Sequence, residues 1–135
     1  MLVDTNVLID VFENDPDWAD WSIEQLRAQS KLRPLAINAI IYAELSLVFS
    51  RVEDLDSAID GLGLALLEIT RPALFLASRA FMQYKRAGGV KSNVLPDFLI
   101  GAHAATEHMP VLTRDVRRYQ TYFPTVKLVA PSASP

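Results

Sequence analysis

Three aspartates and one glutamate occupy positions from which their side chains could reach one ligand. Asp4 follows a short apolar run at the start of the chain, and Asp115 follows another near its end. Asp97 comes directly after Pro96, in the predicted first turn of a helix, where free N–H groups favour a negative charge. Glu44 lies inside another predicted helix. Because parallel strands deliver their carboxyl ends to one edge of a sheet, we expect the four acids to converge there.

Glu44 carries the most information of the four. Apolar residues flank it at helical spacing, namely Ile40, Ile41, Leu47 and Val48. Residues three and four apart share a helix face, so the sequence predicts that Glu44 lies within the apolar stripe. A buried carboxylate without a partner costs several kcal/mol or takes up a proton. The alternative is a purely structural Glu paired with an Arg or Tyr of the core.

Four ionised carboxylates in one site require a counter-charge. Two like charges about 4 Å apart repel by about 4 kcal/mol at an effective dielectric constant of 20. The chain has no cysteine and two histidines, of which His103 is expected in the core and His108 on the surface. Oxygen ligands of this kind favour Mg²⁺ or Mn²⁺ over zinc. Such a site suits phosphoryl chemistry, in which the ion holds a phosphate oxygen and activates a water.

Polar residues adjoin the predicted acidic site. Thr5, Asn6 and Thr113 are expected to orient the carboxylates or bound waters. Arg114 and Lys91 are candidates for contacts with substrate phosphates. The charge distribution supports a polyanionic ligand, because residues 69–96 contain five basic side chains and no acidic one.

The bulk composition limits the class of protein. A chain of 135 residues, half of them hydrophobic, is expected to form one domain with its own core. The absence of cysteine fits a reducing cytosol, and neither a secretory signal nor a membrane-length apolar run is visible. We therefore expect a cytoplasmic protein that does not enter a membrane.

Strand and helix patterns alternate along the chain and predict a parallel sheet with helices on both faces. The predicted strands are 2–4, 34–37, 110–113 and 126–129. The predicted helices are 7–12, 16–30, 39–51, 54–66, 72–86 and 97–107, and residues 67–70 are an extended link. Residues 1–130 are expected to form the single domain, and residues 131–135 a loose tail.

Four segments together resemble the PIN domain, and most of all the VapC-type toxins of toxin–antitoxin pairs. They are VDTNVLIDVF, INAIIYAEL, GGVKSNVLPDFLIGAHA and VLTRD, in the family's order and spread over nearly the whole chain. The resemblance implies a three-layer α/β/α sandwich with a short central parallel sheet. It also implies a metal-dependent endoribonuclease, a homodimer and an antitoxin partner that blocks the site.

The resemblance also assigns roles to single residues. Asp4, Glu44 and Asp97 match the family's three main acidic positions, and Asp115 matches the more variable fourth. The polar positions beside them are matched by Asn6 and Thr113. No acidic position departs from the pattern. A groove for an antitoxin or a second copy is expected around Trp18, Trp21 and residues 39–66.

Three other classes of protein agree less well with the sequence. A phosphatase of the haloacid dehalogenase type needs Asp-x-Asp after the first strand, and position 6 is Asn. A response-regulator receiver needs an acceptor Asp after a middle strand, where this chain has Ile37 and Asn38. A non-catalytic PIN-like binding module is expected to lack one or more of the acids, and this chain keeps all four. Replacing Asp4 by Asn separates this last alternative from a nuclease.

Overall fold

The computed structural model describes residues 1–91 and 93–132 and contains a sheet whose strands are all parallel. Its strands are β1 (Leu2–Val3), β2 (Ala36–Asn38), β3 (Ala65–Leu67), β4 (Val111–Leu112) and β5 (Leu128–Val129). Their order across the sheet is β3-β2-β1-β4-β5. Strands β2 and β3 therefore lie on one side of β1, and β4 and β5 lie on the other side.

Helices fill the connections between these strands. They are α1 (Thr5–Phe12), α2 (Ala19–Ser30), α3 (Ala39–Leu45), α4 (Val52–Gly61), α5 (Arg71–Arg86), α6 (Leu95–Thr106) and α7 (Arg117–Tyr122). Because crossovers between parallel strands are right-handed, the reversal of direction places α1–α4 on one face and α5–α7 on the other. This is the predicted α/β/α sandwich, and the fold class is confirmed.

The reversal of strand order fixes the position of the crevice. β1 and β4 are neighbours, yet the chain leaves them toward opposite sides of the sheet. In such sheets ligands bind beyond the carboxyl ends of the strands at this switch point. Asp4 directly follows β1, and Thr113 directly follows β4, so both lie at the crevice.

The core consists of two clusters of buried side chains. The larger one surrounds the strands and includes Leu2, Ile37 and Leu112, all fully buried. The smaller one joins α5, α6 and α7 around Phe98 and Phe123. These clusters hold α6 and α7 against each other, which matters because both helices contribute to the crevice.

Strand β3 and the ends of several helices differ from the sequence prediction. Residues 65–67 were predicted as the end of a helix and the start of a link, but they form β3 beside β2. Gly63, with φ +67°, turns the chain after α4, and the three β3 residues are exposed, so no buried apolar run marks the strand. Helix α2 starts at Ala19 rather than residue 16, and α7 was not predicted.

The helix that carries Glu44 is shorter than predicted. It ends at Leu45 and continues as a 3₁₀ turn, Ser46–Val48, instead of running to residue 51. Leu47 is 86% exposed, so the predicted apolar stripe does not continue past Glu44. Ile41 and Leu45 are buried in the core from this helix, and the half-buried Ile40 and Tyr42 pack against it.

The sequence predicts a docking groove around the two tryptophans, and the structure leaves both only partly exposed. Trp18 and Trp21 are half-buried and pack edge to face, with ring centroids 5.9 Å apart. Within the described part of the chain, no helix has both the length and the apolar character needed to cross a bilayer. Of the expected tail, residues 133–135 lie outside the described residues.

Candidate active site

Asp4 is the most buried of the four acids, with 8% of its surface exposed. It caps α1, and its Oδ1 accepts a 2.8 Å hydrogen bond from the Thr5 N–H. Its Oδ2 accepts hydrogen bonds from Thr113 Oγ1 at 2.8 Å and from the Tyr119 hydroxyl at 2.9 Å. Burial raises the pKa of Asp4, although all three hydrogen bonds oppose that shift.

Glu44 adjoins Asp4 through a shared neighbour. Its Oε1 accepts a 2.6 Å hydrogen bond from the hydroxyl of Thr5, the same residue whose N–H donates to Asp4. Glu44 is half-buried. Burial raises its pKa, and the charge of Asp97 raises it further. Thr5 therefore holds two of the acids with its backbone and its side chain, in the orienting role that the sequence predicts.

Asp97 and Asp115 lie at the open side of the crevice and are each paired with an arginine. Asp97, in the first turn of α6, has Oδ2 3.4 Å from Nε of Arg118. Burial and the charge of Asp4 raise the pKa of Asp97 despite that arginine. Two guanidinium contacts from Arg117, at 3.1 and 3.0 Å, hold the pKa of Asp115 below its usual value.

The four acids form one electrostatic unit. The charge of Glu44 raises the pKa of Asp4, that of Asp97 raises the pKa of Glu44, and those of Asp4 and Asp115 raise the pKa of Asp97. Such effects act across a partly buried region, so the acids lie around one crevice, although no three of the described ones are close enough to share an ion as they stand. The structure thus brings together the four acids that the sequence singled out, whereas their catalytic roles stay predictions.

The donor chemistry of this site fits a hard divalent cation. The available ligands are carboxylate and hydroxyl oxygens, which Mg²⁺ and Mn²⁺ prefer. Among residues 1–91 and 93–132, however, no three acidic or histidine side chains converge closely enough to hold an ion as they stand. The reason is that each carboxylate faces a protein partner: Thr5, Thr113 and Tyr119 for the inner pair, Arg117 and Arg118 for the outer pair.

A basic rim surrounds the outer pair of acids. An open cavity of about 480 Å³ is lined by Lys91, Asn93, Val94, Asp97, Asp115, Arg117 and Arg118. Lys91 therefore lies where the sequence predicts a phosphate contact. Its own backbone N–H donates a 3.2 Å hydrogen bond to the Tyr84 hydroxyl, which ties this loop to α5.

Arg114 binds a carboxylate of the protein, whereas the sequence predicts a contact with a substrate phosphate. Its Nε and Nη2 donate hydrogen bonds of 2.6 and 2.9 Å to the buried carboxylate of Asp10. Its guanidinium carbon lies 5.0 Å from the ring centroid of Trp18. Because Asp10 neutralises it and Trp18 covers it, we assign Arg114 a structural role and correct the prediction of a substrate contact.

The remaining predicted polar residues connect this structural pair to the site. Asn6 Oδ1 accepts a 3.2 Å hydrogen bond from the Arg114 backbone N–H, and Asn6 Nδ2 donates to Thr113 Oγ1 at 3.3 Å. Thr113 in turn donates to Asp4. Asn6 and Thr113 therefore fix the loop after β4 against β1, which agrees with the predicted orienting role.

Both histidines lie where the sequence predicts. His103 is buried on α6, with Nδ1 3.0 Å from Nδ2 of Asn38, the residue that caps α3. Burial lowers the pKa of His103, which favours the neutral ring that can accept this hydrogen bond. His108 is exposed after the end of α6.

Sequence reasoning missed four residues of the site and its support: Asp10, Arg117, Arg118 and Tyr119. A signal for three of them was present, since they follow Asp115 within four positions and a single helical turn presents them to the same crevice. Asp10 carried no such signal, because its partner lies 104 positions away in the chain.

The chain belongs to the PIN domain family, since the family model for the PIN domain matches residues 1–124. Three solved structures share its fold. VapBC2 from Rickettsia felis, bound to a DNA fragment from its promoter, is 20% identical with a TM-score of 0.74, covering 97% of this chain and 98% of that one. A toxin–antitoxin complex from Klebsiella pneumoniae is 23% identical with a TM-score of 0.69, covering 97% of both chains.

The third structure is VapBC-1 from nontypeable Haemophilus influenzae, which is 20% identical with a TM-score of 0.69 and covers 96% of each chain. A comparison with curated proteins found no significant match. At these identities the structural neighbours establish the shared fold. The activity and the partners of this chain are argued next from its own site.

Proposed function

We propose that this protein is a metal-dependent endoribonuclease that acts as the toxin of a toxin–antitoxin pair. One observation carries the nuclease part: Asp4, Glu44, Asp97 and Asp115, from four separate elements, act on one another at the switch point of the sheet. A purely structural role would not require acidic side chains from four parts of the chain to be gathered in one crevice, where their mutual repulsion destabilises the folded chain.

The side chains of the site have separate roles in phosphodiester hydrolysis. A Mg²⁺ or Mn²⁺ ion bound by the carboxylates would neutralise the charge on the phosphate and make a water more acidic. Glu44, whose pKa burial raises, is suited to accept the proton that the water loses as its oxygen bonds to phosphorus, while Asp97 would hold the ion. One P–O ester bond breaks, and the leaving oxygen takes a proton from solvent.

The buried partners of Asp4 keep it in place during this reaction. Thr5, Thr113 and Tyr119 donate three hydrogen bonds to one carboxylate, so its orientation does not depend on the metal. The basic rim with Lys91 and Arg117 favours a polyanion such as RNA at the open side of the crevice.

The toxin role and the partners are proposed from the shared fold. The structure from Klebsiella pneumoniae is a toxin–antitoxin complex and the other two are VapBC proteins, and we extend the toxin–antitoxin assembly to this chain. Its partners would then be an antitoxin that covers the acidic crevice and a second copy of the chain, in the cytoplasm. Exposed apolar side chains on α5, including Phe75 at 60%, offer surface for such contacts.

The test compares Asp4→Asn with Asp54→Asn, an exposed aspartate in the first turn of α4. Purified proteins are incubated with total RNA in Mg²⁺ or Mn²⁺, and the new RNA ends are sequenced. We expect Asp4→Asn to remain folded and to lose cleavage by at least about 100-fold, as loss of a central charge-stabilising group does. Asp54→Asn should cleave like the unmodified protein. Equal cleavage by both variants would refute the nuclease and favour a non-catalytic PIN-like binding module.

The toxin role has its own test. Brief induction in cells should arrest growth with the unmodified chain and with Asp54→Asn, but not with Asp4→Asn. The gene beside the coding sequence is then co-expressed. Rescue of growth together with co-purification supports an antitoxin, and growth unaffected by the active nuclease would remove the toxin assignment while leaving the nuclease intact.

A further inference from the structure

Arg118 is an unusual member of the acidic crevice. It projects from α7, its side chain is only 24% exposed, and its guanidinium carbon lies 5.3 Å from the ring centroid of Tyr84. Its Nε lies 3.4 Å from Oδ2 of Asp97. Within the described residues this Nε is buried and forms no hydrogen bond. A buried N–H donor without a hydrogen-bond partner is costly, so the present contact satisfies the guanidinium incompletely.

The same contact occupies one of the predicted metal ligands. Burial and the charges of Asp4 and Asp115 raise the pKa of Asp97, and Arg118 is the cation that opposes this effect. A guanidinium and a divalent cation at one carboxylate repel each other, so both do not stay at this distance. Arg118 and the ion therefore compete for Asp97.

We propose that Arg118 is an internal counter-ion of Asp97 that the divalent ion displaces, and that the displaced guanidinium binds a phosphate of the RNA. This inference rests on the proposed nuclease function and assigns the substrate contact that Arg114 does not make. Arg118 lines the same cavity as Lys91 and Arg117, so rotation of its side chain keeps it within the basic rim. The planar fork of an arginine matches the oxygens of a phosphate, which satisfies the free N–H donors.

Arg118 differs from its neighbour Arg117 in the contacts that its guanidinium makes. Arg117 is 83% exposed and already makes two hydrogen bonds to Asp115, whose pKa is lowered by them. The guanidinium of Arg118 stacks on Tyr84, and within the described residues its Nε has no hydrogen-bond partner. A guanidinium that is held by stacking and by one long ion pair keeps N–H donors available for a phosphate.

The experiment measures Mn²⁺ binding to the free protein and RNA cleavage separately. The test variant is Arg118→Met, which keeps an unbranched side chain over Tyr84 and removes the charge. The matched control is Arg79→Met, because Arg79 also stacks on an aromatic ring, that of Phe75 at 4.7 Å, but on the exposed side of α5. Arg118→Gln, with a polar planar head, carries the same test if the Met variant does not fold.

We expect opposite effects on the two measurements. By isothermal titration without RNA, Arg118→Met should bind Mn²⁺ roughly fivefold more tightly, which is what removal of one competing ion pair yields. At saturating Mn²⁺, its kcat/KM on RNA should fall at least about tenfold, because a charge-assisted contact to the phosphate is lost. Arg79→Met should change neither. A merely structural role of Arg118 would weaken both metal binding and cleavage.

Each contrary result has a definite meaning. Unchanged or weaker Mn²⁺ binding by Arg118→Met would refute the counter-ion. Tighter Mn²⁺ binding with unchanged cleavage would refute the phosphate contact and with it the proposed exchange of partners. If the unmodified protein itself cleaves no RNA, the nuclease proposal fails on that ground, and the titration alone still decides whether Arg118 competes with metal for Asp97.

Discussion

The hydroxyl of Tyr119 donates a 2.9 Å hydrogen bond to Oδ2 of Asp4, joining residues 115 positions apart in the chain. Tyr119 is buried on α7, and Asp4 directly follows β1. Burial raises the pKa of Tyr119 well above its usual value, and the charge of Asp4 raises it further. The tyrosine is therefore protonated at neutral pH and donates to Asp4, whose charged form it stabilises.

Removal of this donor should change how activity depends on pH. In Tyr119→Phe the pKa of Asp4 should rise further, because a hydrogen bond to the carboxylate is lost while its burial is retained. Cleavage should then fall more at pH 6 than at pH 8, by at most about tenfold for each unit of pKa shift. The measurement is kcat/KM over that range in Mg²⁺.

Tyr122→Phe is the control for this experiment, since Tyr122 lies on the same helix and its ring packs 5.1 Å from that of Phe98. Its pH profile should match that of the unmodified protein. If Tyr119→Phe loses the same factor at both pH values, Tyr119 does not act through the protonation of Asp4.

Glu44→Gln should stabilise the metal-free protein at neutral pH. The folded-state pKa of Glu44 is raised, mainly by burial. A carboxyl with a raised pKa stabilises the fold below its unfolded pKa, and that contribution is lost as pH rises through the folded value. Gln keeps an oxygen that can accept the hydrogen bond of Thr5 without the charge.

The measurement is urea unfolding in EDTA at pH 4 and pH 7. The variant should gain free energy of unfolding relative to the unmodified protein at pH 7 but not at pH 4, and it should lose RNA cleavage. Glu24→Gln, an exposed glutamate on α2, should show no such difference. A large loss of stability at pH 7 would mean that Glu44 serves as a structural partner.

Asp10→Asn should destabilise the fold far more than loss of a surface ion pair. Asp10 is 2% exposed and accepts hydrogen bonds from Arg114 and from Ser22 Oγ at 2.9 Å. Its loss leaves a partly buried guanidinium without its counter-charge, at a cost of about 3–5 kcal/mol. Glu53→Gln removes the exposed pair with Arg51 and should cost below about 0.5 kcal/mol.

The variants Asp10→Asn and Glu53→Gln are compared by chemical denaturation, and Arg114→Lys is measured in the same way. Arg114→Lys should lower stability because Lys cannot make the two-pronged contact with Asp10. If Arg114→Lys instead weakened RNA binding without a change in stability, the result would support the predicted contact between Arg114 and a phosphate.

The acidic residues and the parallel sheet could be predicted because they follow local rules. Asp4 and Asp115 each end an apolar run, and Asp97 opens a helix behind a proline. Alternating strand and helix patterns then place such ends at one edge of the sheet. These signals need no knowledge of which residues meet in space.

The ion pair between Arg114 and Asp10 could not be predicted, because it depends on a contact between distant parts of the chain. Arg114 and Asp10 meet only when the loop after β4 packs against α1, and a basic residue beside a predicted site reads as a substrate contact. Strand β3 was missed because its side chains are exposed and its pairing with β2 depends on backbone hydrogen bonds. In each case the deciding interaction is long-range, and the local pattern contains no trace of it.

Gly101 provides a test of the packing that presents α7 to the crevice. It lies within α6, and a Cβ atom added there would overlap the ring of Phe123, the residue that follows α7. Gly101→Ala should therefore push α7 away from α6, with a loss of about 1–3 kcal/mol in stability. Because α7 carries Arg118 and Tyr119, RNA cleavage should fall together with the stability.

Gly61→Ala is the matched control, since Gly61 lies in α4 and a Cβ atom there meets no neighbour. It should be neutral or stabilising by up to about 1 kcal/mol, because Ala favours the helix. Gly101→Ala combined with Phe123→Leu, which removes the ring, should recover part of the lost stability, as contacting residues are not additive. If Gly101→Ala is as stable as the unmodified protein, the close packing of α6 against Phe123 does not set the position of α7.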